Sequence, residues 1–231
     1  MRIAFSGAAC TGKTTTLNAF LQRWPKYKTP VTSYRQLIPE NKHSKNTDKK
    51  IQRSILEFMV AQQKPYTPHD KVVYDRCPLD NIVYSMWAFD KRKKGFTEDY
   101  INKSIGLVQE GMKSLDIIFL TTRDLMGPIE NNKVRETDSQ YIIETDNLFK
   151  AISKQIQTTG VSPFLPPNDS PALIELTGST EERLEQISMY VTPEGDMYGE
   201  EQSLVNMDEI NKMERLLRDQ KEFLNKEKGI L

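Results

Sequence analysis

Cysteine is almost missing from this 231-residue chain: Cys10 and Cys77 are the only two. One pair cannot build a disulfide framework, so the sequence reads as a protein of the reducing cytoplasm, a host cytoplasm if the gene is viral. Histidine is as scarce, with His43 and His69 isolated in polar stretches, and no Cys/His spacing suits a zinc site. Net charge is absent too, 32 Lys+Arg against 32 Asp+Glu. The bulk charge therefore does not advertise a nucleic-acid binder, which leaves only local basic patches. No apolar run approaches the ~18 residues of a membrane helix, and Ile3-Ala4-Phe5 is too short for a signal-peptide core. No membrane partner is expected, and there is no internal repeat. The oligomeric state is open.

What is present is an alternation of short β-rich runs with longer helical patterns. Strands are expected at Arg2 to Ser6, Tyr27 to Tyr34 (the weakest), Lys71 to Tyr74, Ile117 to Thr121 and Ala172 to Thr177. Helices are expected at Lys13 to Arg23, Ile51 to Gln63, Pro78 to Phe89, Glu98 to Met112, Ser139 to Thr158 and Thr180 to Met189. Strands separated by helices imply a doubly wound α/β fold, here a parallel five-stranded sheet covered on both faces. Residues 1–190 form the expected domain. Residues 191–231 read as a linker and a C-terminal helical extension, with Leu204, Met207, Ile210, Met213, Leu217 and Phe223 as its apolar stripe. Ligands of such sheets bind beyond the carboxyl ends of the strands.

The run Gly7-Ala8-Ala9-Cys10-Thr11-Gly12-Lys13-Thr14 fits G-x-x-x-x-G-K-[ST] in full, with a strand before it and a helix after. Its glycines let the backbone curl so that successive N–H groups face phosphate oxygens, and the helix N-terminus adds to that field. The segment from Gly7 to Thr15 is thus the expected cradle for ATP. Lys13 should reach the β/γ-phosphates, and the Thr14 hydroxyl should ligate Mg²⁺.

A second constellation follows the third expected strand: Tyr74-Asp75-Arg76-Cys77-Pro78-Leu79-Asp80. An acid at the end of an apolar strand suits a Mg²⁺ ligand or a catalytic base, and Arg76 suits bidentate contact with phosphate. The plainer alternative has Asp75 capping the helix that Pro78 opens. The third constellation is a lid near 123–138, rich in turn residues, in which Arg123 and Arg135 would neutralise charge on a transferred phosphoryl group. If the first and third expected strands are neighbours, Cys10 and Cys77 should also lie close together.

Three stretches, FSGAACTGKTTTL, YDRCPLD and KVRETDSQYIIETDNLF, together resemble the nucleoside and nucleoside-monophosphate kinase branch of P-loop proteins. They are similar to small AAA-type ATP-binding proteins related to ribosylnicotinamide kinases, and the thymidylate-kinase-like layout is shared. The resemblance spans about residues 1–190. It implies a P-loop nucleotide-kinase-like fold, ATP and Mg²⁺ as cofactors, and transfer of the γ-phosphate to a hydroxyl of a nucleoside- or nucleotide-type acceptor. The ribosylnicotinamide-kinase-like proteins often carry a Glu at the end of the second strand, where this chain reads Thr32-Ser33-Tyr34-Arg35. The missing acid and the lysine-rich runs 42–50 and 91–94 make the chain look like phage enzymes that phosphorylate 5-hydroxymethyluracil within DNA. That resemblance makes the hydroxymethyl group the favoured acceptor. A free deoxynucleoside, nucleoside monophosphate or ribosylnicotinamide is the alternative.

Two rivals fare worse. A signalling GTPase needs N-K-x-D, and Asn132-Lys133-Val134-Arg135 fails at its last position. An assembly ATPase needs an acidic pair and a second domain. A non-catalytic nucleotide-binding module stays in view, because a P-loop licenses binding and not turnover.

Overall fold

The computed structural model describes residues 1–39, 44–123 and 138–198. Four strands, β1 (Arg2–Ser6), β2 (Val72–Asp75), β3 (Ile117–Thr121) and β4 (Ala172–Leu176), form a parallel sheet in the order β2-β1-β3-β4. Six helices surround it among the described residues: α1 (Lys13–Arg23), α2 (Lys49–Gln63), α3 (Pro78–Asp90), α4 (Glu98–Met112), α5 (Ser139–Thr159) and α6 (Thr180–Ser188). None of them is long and apolar enough to cross a membrane.

The strand pleat sorts the core into two layers. Ile3 and Phe5 of β1 and Ile117 and Phe119 of β3 face Leu17, Phe20, Leu184 and Ile187 of α1 and α6. Their neighbours Ala4, Ile118 and Leu120 face Leu56, Val60, Ile82, Met112 and Phe149 of α2 to α5. This is the period-2 alternation of a strand buried on both sides. Fully burying a side chain such as Phe5 or Phe119 contributes about 1.5–3 kcal/mol. On the second layer α4 approaches closely at Gly111, where a Cβ would stand 2.6 Å from Pro78 Cγ.

The sheet corrects one expectation. Tyr27 to Tyr34 is not a strand, so the described sheet has four strands and not five. Lys28 alone bridges to Val72. Pro30 then lacks a donor for a ladder, Val31 is fully exposed, and Ser33 caps a 3₁₀ turn at Tyr34–Leu37. The other elements lie within a few residues of expectation. α2 starts at Lys49 because the Asp48 carboxylate accepts from the Lys50 and Ile51 amides. α6 is capped by Ser179, whose hydroxyl accepts from Glu182 N.

Residues 191–198, expected as the start of a linker, are docked on the domain. The Trp24 indole donates to Thr192 O at 2.8 Å and the Tyr27 hydroxyl to Gly195 O at 2.9 Å. The expected C-terminal helix lies outside the described residues.

Candidate active site

β1 delivers the phosphate loop. At Gly7, φ is 132° and a Cβ would lie 2.2 Å from the Thr121 carbonyl oxygen, so only glycine fits. Cys10 (φ 58°) and Gly12 (φ 83°) complete the curl into α1, whose N-terminus has no side-chain cap. Thr14 and Thr15 are exposed on its first turn. Lys13 is 6 % exposed. Its ammonium donates to Ala8 O and to Thr11 Oγ1 at 3.3 Å. Burial above all, and then the Arg76 guanidinium, pull its pKa down to about 7.

A buried cation over a glycine-rich curl and an uncapped helix start fits a polyphosphate, which would supply the missing anion. Binding should therefore raise the Lys13 pKa. Above pH 7 the free protein has lost part of this proton, so ATP binding at pH 8 is expected to take up protons. Calorimetry in buffers of different ionisation enthalpy reads that uptake, and Lys13→Met should abolish it.

Asp75 pairs in register with Phe5 of β1, which puts it at the carboxyl end of the sheet beside the loop. Its Oδ2 accepts from Arg35 Nη2 at 3.1 Å. Its Oδ1 is buried and has no hydrogen-bond partner among the described residues. Asp75 does not cap α3. That work falls to Asp80, whose Oδ2 accepts from Cys77 N at 3.0 Å.

Arg76 takes a left-handed backbone (φ 82°) and turns inward. Its Nη1 donates to Gly7 O (3.0 Å), Asp80 Oδ1 (2.7 Å) and the Tyr84 hydroxyl (2.9 Å). Asp80 Oδ1 also accepts from Gly7 N at 3.2 Å. Arg76 and Asp80 thus brace the first residue of the phosphate loop against α3. Asp80 is 1 % exposed, and removing one partner of a buried pair costs about 3–5 kcal/mol. Asp80→Ala is expected to lower the melting temperature by about 10 °C for a chain of this size, as thermal denaturation will show.

β3 ends at Thr121, which is hydrogen-bonded to Thr11 Oγ1 at 2.8 Å. Arg123 follows, at the start of the segment expected as a lid. Its amide donates to Asp146 Oδ1 of α5 (3.1 Å), and its carbonyl accepts from Lys150 Nζ (2.9 Å). Arg135 and most of the expected lid lie outside the described residues. Cys10 and Cys77 fall in different apolar clusters, and burial pushes the Cys77 thiol far above the ordinary range.

Several buried residues escaped the sequence reading. Arg183 of α6 is 7 % exposed and donates to Thr11 O (2.7 Å) and Thr122 O (3.4 Å), tying the loop to the end of β3. No local pattern marks a contact across 172 positions. Asn81 is 2 % exposed. Its amide donates to Gln52 O and Oε1 at 2.8 and 2.7 Å, while its own Oδ1 has no partner. Asp80 was legible in part, as an acid one turn after Arg76.

An AAA domain family matches residues 2–162. The chain belongs to this family. No curated protein matches the chain. Its fold is similar to that of deoxyadenosine kinase from M. mycoides with bound dATP (TM-score 0.57, 17 % identity, 82 % of this chain and 97 % of the other). It is also similar to thymidylate kinase from Candida albicans (0.53, 16 %, 81 % and 90 %). NadR protein in complex with NR is a third likeness (TM-score 0.55, 10 % identity, 82 % of this chain and 51 % of the other). At such identities the likeness shows the shared fold, the P-loop nucleotide-kinase-like one.

Proposed function

We propose that this protein is an ATP-dependent phosphotransferase acting on a hydroxyl of a nucleoside- or nucleotide-type acceptor. One observation carries the reading: the unpartnered, buried Asp75 Oδ1 at the strand end beside the phosphate loop. An acceptor hydroxyl or a Mg²⁺ ion would satisfy it. Gly7 to Thr15 would cradle the triphosphate, with Lys13 on its β/γ oxygens. Thr14 and Asp75 offer the two oxygen donors a Mg²⁺ needs beside substrate phosphates. The cation, when bound, neutralises charge on those phosphates. Arg123, and Arg135 of the lid, would meet charge developing on the transferred group. Arg76 acts through Gly7 and Asp80, by shape. The solved likenesses are themselves nucleoside or nucleotide binders by their names, which agrees with this class.

The finer reading, a hydroxymethyl group in DNA, draws on one feature. Lys49 lies against Gly95, so the two basic runs adjoin, and Lys49, Lys50, Arg92 and Lys94 are exposed. Other cations there already have partners within the protein. Lys45 pairs with Asp138 (2.6 Å) and Lys91 with Glu144 (2.7 Å), while Lys93 sits 4.9 Å over the Trp87 ring. A free nucleoside or nucleotide therefore ranks first.

Labelled γ-phosphate transfer to a panel of nucleosides, monophosphates and hydroxymethylated DNA decides between them. Transfer to a small acceptor with little salt dependence supports the first reading. Transfer to DNA with a log–log salt slope near about −3 supports the second. ATP binding with no transfer to any acceptor would leave a nucleotide-binding module.

A further inference from the structure

We propose that Arg35 is a positioning residue for Asp75: it ties one carboxylate oxygen so that the other faces the reacting atoms. The inference rests on the phosphotransferase reading and names a residue that reading does not require. Arg35 Nη2 reaches Asp75 Oδ2 at 3.1 Å, and Oδ1 is the oxygen left buried and unpartnered. An aspartate carboxylate turns easily about its last torsion, which has only a broad two-fold preference. Asp75 also sits in the field of two other cations, Lys13 and Arg76, both coupled to its charge. With Oδ2 released, the carboxylate would swing toward them and Oδ1 would lose its aim.

The chain holds Arg35 with several separate devices. Ser33 Oγ accepts from Arg35 N at 3.3 Å and closes the start of the 3₁₀ turn. Gln62 of α2 donates to Thr32 O at 2.5 Å and fastens that turn to the helix. The guanidinium lies 5.8 Å from the Tyr34 ring. Yet the Arg35 side chain is 57 % exposed, and an exposed ion pair contributes little to stability. So ordered a mounting for so exposed a pair is explained by what it does to Asp75. It also accounts for the departure at Thr32 to Arg35: this chain places a cation there, paired with Asp75.

The test is steady-state transfer with the acceptor found in the panel, for wild type, Arg35→Ala, Arg35→Lys, Asp75→Asn and the double variant Arg35→Ala/Asp75→Asn. Arg35→Ala is expected to lower kcat about 10- to 100-fold, the scale of a misplaced catalytic group, with KM for ATP within about twofold. Arg35→Lys, which keeps a cation on the turn, should recover a large part of that loss. In the Asp75→Asn background the same Arg35→Ala change should alter kcat less than about twofold, because the carboxylate charge that Arg35 positions is already gone. Unchanged kcat in Arg35→Ala overturns the proposal. So do equal losses in Arg35→Ala and Arg35→Lys, or the same fractional loss with and without Asp75. A wild type that transfers phosphate but shows one of these sinks only this inference. A wild type that transfers none sinks the phosphotransferase reading and this one with it.

Discussion

Lys13→Met is expected to lose on the order of 10²-fold or more in turnover, since an electrostatic contact to the transferred group is worth several kcal/mol. The fold should lose nothing, and below pH 7 it should gain. Lys13 is 6 % exposed, and its nearest charged neighbours include Arg76 as well as Asp75 and Asp80. Its pKa of about 7 in the fold lies under the ordinary 10.5. Between those values the unfolded chain binds more protons than the folded one, so wild-type stability rises with pH across that window. The penalty for burying the ammonium is fully present below pH 7. Methionine removes the charge and keeps the length, which removes that pH slope. Denaturant unfolding at pH 6.5 and 9 reads the first half of the prediction and phosphate transfer the second. A variant that unfolds more easily at pH 6.5, yet turns over normally, would show that Lys13 holds the loop and does not serve ATP.

Asp75→Asn is expected to cut kcat by roughly 10²-fold or more, the scale of a lost acid–base group. The affinity for ATP should change far less. Asparagine keeps the shape, deletes the charge and turns one acceptor oxygen into a donor. The stability cost should be under about 1 kcal/mol, because the ion pair of Asp75 with Arg35 is made by a guanidinium that is 57 % exposed. The contrast with Asp80 is sharp. Asp80 is buried and bonded to Gly7, Arg76 and Cys77, so its loss strikes the fold. Transfer assays and thermal denaturation on the two variants should give opposite profiles. If Asp75→Asn is unstable but active, the carboxylate is structural and the site needs another base.

The sequence by itself determined the phosphate loop, the strand-to-acid junction at Asp75 and the α/β alternation. Each of these is local. A strand, a glycine turn and a helix start occupy 22 consecutive residues from Arg2 to Arg23, and the backbone preferences of those residue types settle their course. The tertiary structure decided what local preference cannot. It cut the second expected strand to a single bridge at Lys28, because Pro30 and the Ser33 turn offered the sheet no ladder and α2 offered the turn a docking site. It turned Arg76 inward onto Asp80 and Tyr84, where the sequence had it facing substrate. It brought Arg183 across the chain to the loop and Arg35 across 40 positions to Asp75. Such contacts depend on which strand ends lie side by side, and the order β2-β1-β3-β4 is set by packing both faces of the sheet at once.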